Sequence, residues 1–130
     1  MAYATADDVK MTFGRLNVEK WADADNDGNQ SIINARIDWA LLQAEARIDG
    51  RLKGSQYEIP FNPVPTVIND LCARLAAIIL WELRGITDSD LEMDAMTGHR
   101  KYCNKMLRQI ISGQVVLNTP QKYKTIPGIV

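Results

Sequence analysis

Very little in this 130-residue chain supports a chemistry of its own. It has two cysteines and one histidine. Cys72 and Cys103 lack metal-type spacing and are expected to be reduced, small apolar packing residues. There is no CxxC pair, no HExxH and no phosphate-cradling glycine loop. His99 has no carboxylate beside it in sequence. Cys103 follows it by one helical turn, the proximity a Cys–His nucleophile pair needs, but a helix surface offers no oxyanion hole. The chain is therefore expected not to be an enzyme and to require no cofactor. Secretion is not expected either, because MAYATADDVK carries acids where a secretory leader has bases and has no apolar stretch. That reading makes the chain cytoplasmic.

Long uncharged runs are scarce too. The most apolar stretch, Val67–Leu83 (VINDLCARLAAIILWEL), has thirteen apolar residues in seventeen. Arg74 and Glu82 limit its uncharged part to seven residues, against about 20 for a bilayer span. Pro63 and Pro65 precede it, Thr66 is a candidate N-cap and Gly85 a candidate C′ residue. A helix apolar nearly all round must be wrapped by others. The expected fold is thus all-α, a small helical bundle around a central apolar helix.

The other elements follow in order. Thr5 and Asp8 form a capping-box start for a helix over 6–13, closed by Gly14. Asn17 is a candidate cap for a second short helix carrying Val18 and Trp21. After the loop DADNDGNQS, Ser31 is expected to cap a helix over roughly 32–53, ended by Gly54. There Ile33, Ile37, Leu41, Ala44, Ile48 and Leu52 make one buried stripe, and Ile32, Trp39 and Leu42 are expected to widen it. Three prolines between Ser55 and Pro65 forbid helix and leave a strap, with Tyr57, Ile59 and Phe61 alternating over the core. TDSD introduces a last helix, about Leu91–Ser112, with a possible kink at Gly98 and a stop at Gly113. The chain divides into a helical domain, 1–113, and an extended C-terminal arm, 114–130.

Charge is divided unevenly. Residues 1–94 hold nine Lys/Arg against sixteen Asp/Glu, whereas 95–130 hold six bases and no acid. Arg100, Lys101, Lys105 and Arg108 recur at helical spacings, giving either a solvated face or a surface for a partner such as DNA. The arm adds Val115, Val116, Leu117, Lys122, Tyr123, Lys124 and Ile126, whose near-alternation suits strand addition to a partner's sheet edge.

The loop from Asp23 opens like a calcium-binding loop. Asp23, Asp25 and Asp27 fall at positions 1, 3 and 5, Gly28 at 6 and Ser31 at 9. Alternating carboxylates supply the hard oxygens that Ca²⁺ wants, and glycine lets the chain turn around the ion. Position 12 is Asn34 in place of the bidentate Glu. The loop is therefore either a weak Ca²⁺ site or an Asx-turn loop that caps the next helix without metal.

Taken in order, several of these features resemble the small Mu-like prophage proteins encoded among the virion-morphogenesis genes of long-tailed phages. The matching residues are the MAYAT…DDV…FG opening and the Asp23–Gly28 loop, then AEARIDGRLKG at Ala44–Gly54. They continue with Tyr57–Pro60, the Val64–Pro65 lead-in and the apolar helix ending near Arg84. The resemblance spans residues 1 to about 115 and departs at Gly98, His99 and the long arm. It implies a head–tail connector: an adaptor in a ring, commonly a dodecamer, beneath the portal protein, with packaged DNA passing through without sequence recognition. A downstream neck, stopper or tail protein would dock below, and the arm would grip the portal. The protein would reside in the virion neck, and in host cytoplasm during assembly, with no membrane partner. Two other classes stay open: a monomeric calcium-binding helical module and a DNA-contacting assembly factor.

Overall fold

A computed structural model describes residues 3–84, 90–119 and 121, the side chains of 90–92 excepted. Among these residues five helices form: α1 (Ala6–Phe13), α2 (Arg15–Ala22), α3 (Gln30–Leu52), α4 (Thr66–Arg84) and α5 (Asp90–Ser112). The fold is an all-α bundle. Helix α4 packs against each of the other four, and every residue from Leu75 to Trp81 is buried. This is the wrapping that its all-round apolar sequence requires.

Each helix end has a local cause. Thr5 Oγ1 accepts from the Asp8 amide and the Asp8 carboxylate accepts from the Thr5 amide, so the capping box forms as expected. Gly14, at φ +89°, ends α1 and starts α2 in one residue. Asn17 is consequently inside α2, its side-chain amide donating to Phe13 O at 2.9 Å. Asn29, not Ser31, caps α3, accepting from the Ile32 amide at 3.3 Å. Thr66 is the first residue of α4 and not its cap; the Asn69 amide reaches back to Pro65 O at 3.0 Å. α3 closes at Leu52 with Lys53 still right-handed, and α5 runs unbroken through Gly98. Gly85 and the TDSD segment's first three residues lie outside the described residues.

The N-terminal segment is tied to the core by polar contacts that periodicity does not announce. Tyr3, 1% exposed, donates its hydroxyl to Asp49 Oδ1 at 2.5 Å and accepts the Phe61 amide at 3.0 Å. Its ring meets Phe61 edge-on. Asn69 Nδ2 donates to Tyr3 O and to Asp8 Oδ2, both at 3.0 Å. Burial and the neighbouring Asp49 carboxylate hold the Tyr3 hydroxyl protonated well above the usual tyrosine range. One ring therefore joins the chain start, α3 and the strap.

The strap lies over the core as its alternation implies, with Tyr57 and Phe61 buried and Ile59 partly so. The arm's first residues dock on it. The Leu117 amide donates to the Tyr57 hydroxyl at 2.8 Å, Leu117 itself is buried, and Tyr57 and Gln121 form an isolated antiparallel bridge.

Candidate functional site

Three surfaces were singled out by sequence: the Asp-rich loop, the basic residues of α5 and the C-terminal arm. The Asp-rich loop joins α2 to α3. Asp23 Oδ1 and Oδ2 accept the Asp27 and Gly28 amides, each at 3.1 Å, and Asp27 Oδ1 accepts the Asn29 amide at 3.0 Å. The Asp27–Asn29 contact is an Asx-turn, the Asp23 carboxylate gathers the amides four and five residues on, and Asn26 at φ +57° and Gly28 at φ +68° reverse the chain. Asp25 faces a cation from the protein itself: Arg36 Nη2 sits 2.6 Å from its Oδ2, and Nη1 donates to Ala22 O. Ser31 lies in the first turn of α3, and Asn34 Oδ1 accepts from Gln30. Among the described residues no three acidic, His or Cys side chains converge as a metal would need. The donor set therefore does not fit Ca²⁺ as it stands, because an ion would have to displace the Arg36 guanidinium.

On α5 the four basic residues divide. Arg100 turns toward α4 and pairs with Glu82 at 3.2 Å. Lys101, Lys105 and Arg108 are exposed and, at four- and three-residue steps, share the outward face. Inward, His99 stacks against Phe13 with ring centroids 4.7 Å apart. Arg74 Nη1 lies 2.8 Å from His99 Nδ1. A guanidinium only donates, so Nδ1 is the acceptor and the imidazole is neutral. Burial, then the Arg74 charge, push the His99 pKa down. Arg74 is also paired with Asp70 at 2.9 Å and lies over the Tyr102 ring.

Cys103, one turn from His99, is buried, and burial raises its thiol to about 11. Cys72 is raised further by the same cause, to about 12. Neither carries thiolate at neutral pH, which nucleophilic chemistry requires.

The arm residues divide as well. Val115 is partly buried and Leu117 buried against their own domain, while Val116 is 72% exposed. Strand addition through Val115 and Leu117 is thus pre-empted by the strap. Their inward side chains and the Leu117 amide are already used. Lys122, Tyr123, Lys124 and Ile126 lie outside the described residues.

Sequence reasoning missed a fourth surface, the outer flanks of α3. Ile32, Trp39 and Leu42 do not widen the buried stripe; they are 37%, 45% and 63% exposed.

The family described as Bacteriophage Mu, Gp36 matches residues 3–128, nearly the whole chain. The chain belongs to that family. It is a Mu-like phage protein of the structural, morphogenesis class. The Gp36-family match extends past residue 115, through most of the arm. Comparison with curated proteins gave no match. Among the described residues no helix is long and apolar enough to cross a membrane.

Proposed function

We propose that this Gp36-family chain is a virion neck protein, a head-to-tail adaptor that assembles as a ring under the portal. The ring would extend the DNA channel and present a docking surface to the next neck or tail protein. The observation that carries the reading is the division of labour in the fold. The apolar helix is consumed by packing, and the polar chemistry lies in separate surface patches of opposite charge. A ring built head to tail needs two different, complementary patches per subunit, since heterologous contacts close only by rotation. The exposed Lys101, Lys105 and Arg108 suit a surface near packaged DNA, where phosphate attraction is independent of sequence.

The test is reconstitution of the full chain with portal rings, read by electron microscopy. A closed ring of this chain on the portal is the expected result; no association with portal rings overturns the reading. The arm is tested by a truncation beginning at Lys122, since an earlier cut would remove the buried Leu117. The truncated chain should keep its helical circular dichroism and lose portal attachment. Continued co-purification with portal rings would show that the arm is not the clamp. A second reading, DNA contact through the α5 face, is favoured by the same three bases. It requires DNA retention that falls steeply with salt and is weakened by Lys101→Glu/Lys105→Glu.

A further inference from the structure

A groove of about 570 Å³ lies between α3, α4 and α5. Leu75, Ile78 and Leu107 form its floor. Arg47, Arg51 and Arg100 stand on its rim with Glu82 as the one acid among the lining residues. Arg51 is held by Asn104 at 3.2 Å and Arg100 by Glu82. Arg47 is in no ion pair among the described residues. The groove is thus apolar at its base and positive at its mouth.

Gly50 lines it too, in the interior of α3. A helix-interior glycine costs about 0.5–1 kcal/mol relative to alanine. Packing within the chain does not call for it, because a Cβ at Gly50 would meet nothing within 4 Å. What it provides is room at the groove wall for a close approach from outside.

The same helix carries a matching surface. Asp38, Leu42 and Glu45 follow one another at steps of four and three, so they form one stripe, whereas Trp39, eleven residues or about three turns before Gly50, lies toward the groove side. Asp38 and Glu45 are in no ion pair among the described residues. Leu42, 63% exposed, is the most exposed large apolar side chain of α3. Asp38 and Arg47 are nine positions apart, about two and a half turns, so the acidic stripe and the basic groove lie on opposite flanks.

We propose that the groove receives the Asp38–Leu42–Glu45 flank of a second copy of this chain. The contact is head to tail, with Asp38 and Glu45 against the arginines and Leu42 toward the floor. Because the two patches are on opposite flanks of one helix, each copy offers both at once and the contact repeats. This deepens the adaptor reading by naming the surface through which like subunits meet.

The decisive experiment is a mixing test, read by native mass spectrometry and sedimentation in low salt. Wild-type chain at about 0.5 mM, a concentration at which even weak contacts are populated, is expected to self-associate. Arg47→Ala/Arg51→Ala and Asp38→Lys/Glu45→Lys should each weaken association at least about tenfold. Mixed together, the two variants retain one intact groove and one intact flank, so they should form a 1:1 dimer that grows no further. Gly50→Leu, which fills the groove from its wall, should keep or raise the melting temperature while abolishing association. A monomeric wild type, a mixture that stays monomeric or grows beyond the dimer, or a Gly50→Leu chain that associates normally would each overturn the inference. The adaptor reading fails separately. A chain that associates through these flanks but ignores portal rings would end that reading and leave this contact standing. Portal binding by a wild type that is monomeric alone would do the reverse.

Discussion

Of the 19 residues of α4, eleven are buried, seven of them in a continuous run from Leu75 to Trp81. Of the 23 residues of α3, seven are buried, all in one stripe. The two helices pack against each other more extensively than any other pair, yet they do different work. α4 is enclosed by four helices and has almost no surface to offer. α3 gives α4 a single face and keeps two flanks for something else, one acidic and apolar, the other basic. Burial on all sides makes α4 the determinant of stability, and burial on one side leaves α3 as the carrier of surface chemistry.

The contrast breaks most visibly under truncation of leucines. Leu80→Ala, at a fully buried position, should cost about 2–5 kcal/mol, since a cavity is left in the middle of the bundle. Leu42→Ala, at a position 63% exposed, should change the unfolding free energy by less than about 0.5 kcal/mol. Urea melts of the two variants check this directly. Comparable losses would mean that α3's outer flank is structural and that the distinction is wrong.

A smaller loss is expected where the chain start is tied to both α3 and the strap. Tyr3→Phe keeps the ring against Phe61 but removes the hydroxyl that bridges Asp49 and the Phe61 amide. Leaving that buried amide without an acceptor should cost about 1–3 kcal/mol. Thermal unfolding measures it. An unchanged melting temperature would show that the hydroxyl only follows the packing of the ring.

Much of this division was legible in the sequence, and the misses share a physical cause. The stripe Ile33–Leu52 is readable because a helix buried on one side repeats its apolar residues every three to four positions. Hydrophobicity alone does not say where neighbours are. Ile32, Trp39 and Leu42 were assigned to the core for their side chains, but no helix covers their flank. The capping box at Thr5 is local and was readable. The docking of Leu117 on Tyr57 depends on residues far apart in the chain, as does the groove that joins Arg47 and Arg51 to Arg100. The Asp loop was readable as a turn. Its pairing with Arg36 was not, because that depends on how the loop folds back against the second turn of α3.

A gentler probe of the seam between α4 and α5 is pH. His99 is neutral in the fold, with its pKa pushed down by burial and then by Arg74, and Asp70 opposing. Below its ordinary value of 6.5 the unfolded chain takes up the proton before the folded chain does. The contribution of His99 is therefore complete above about pH 6.5 and is lost as pH falls through the folded pKa. The effect should be smaller than that of Tyr3→Phe because the ring is only partly buried. Melting temperatures from pH 7.5 to 5 should fall less steeply in His99→Gln than in the wild type. Parallel profiles would remove His99 from the account.

The smallest expected effect is at the Asp-rich loop, and it tests whether an acidic stretch must mean a cation site. Asp23 and Asp27 have accepted backbone amides, and Asp25 has accepted Arg36. Ca²⁺ would have to displace Arg36 and would find Asn34, bound to Gln30, where a bidentate carboxylate is needed. Calorimetry of the wild type with Ca²⁺ up to about 5 mM, beyond the range of weak extracellular sites, should therefore give no binding heat. Arg36→Ala sharpens the point, since it releases Asp25 while leaving all three carboxylates in the loop. If a guanidinium is what fills the cation's place, any Ca²⁺ binding should emerge only in that variant. Heat from the wild type that vanishes in Asp25→Ala would instead show that the loop opens for the ion, and that Arg36 is its competitor and not its substitute.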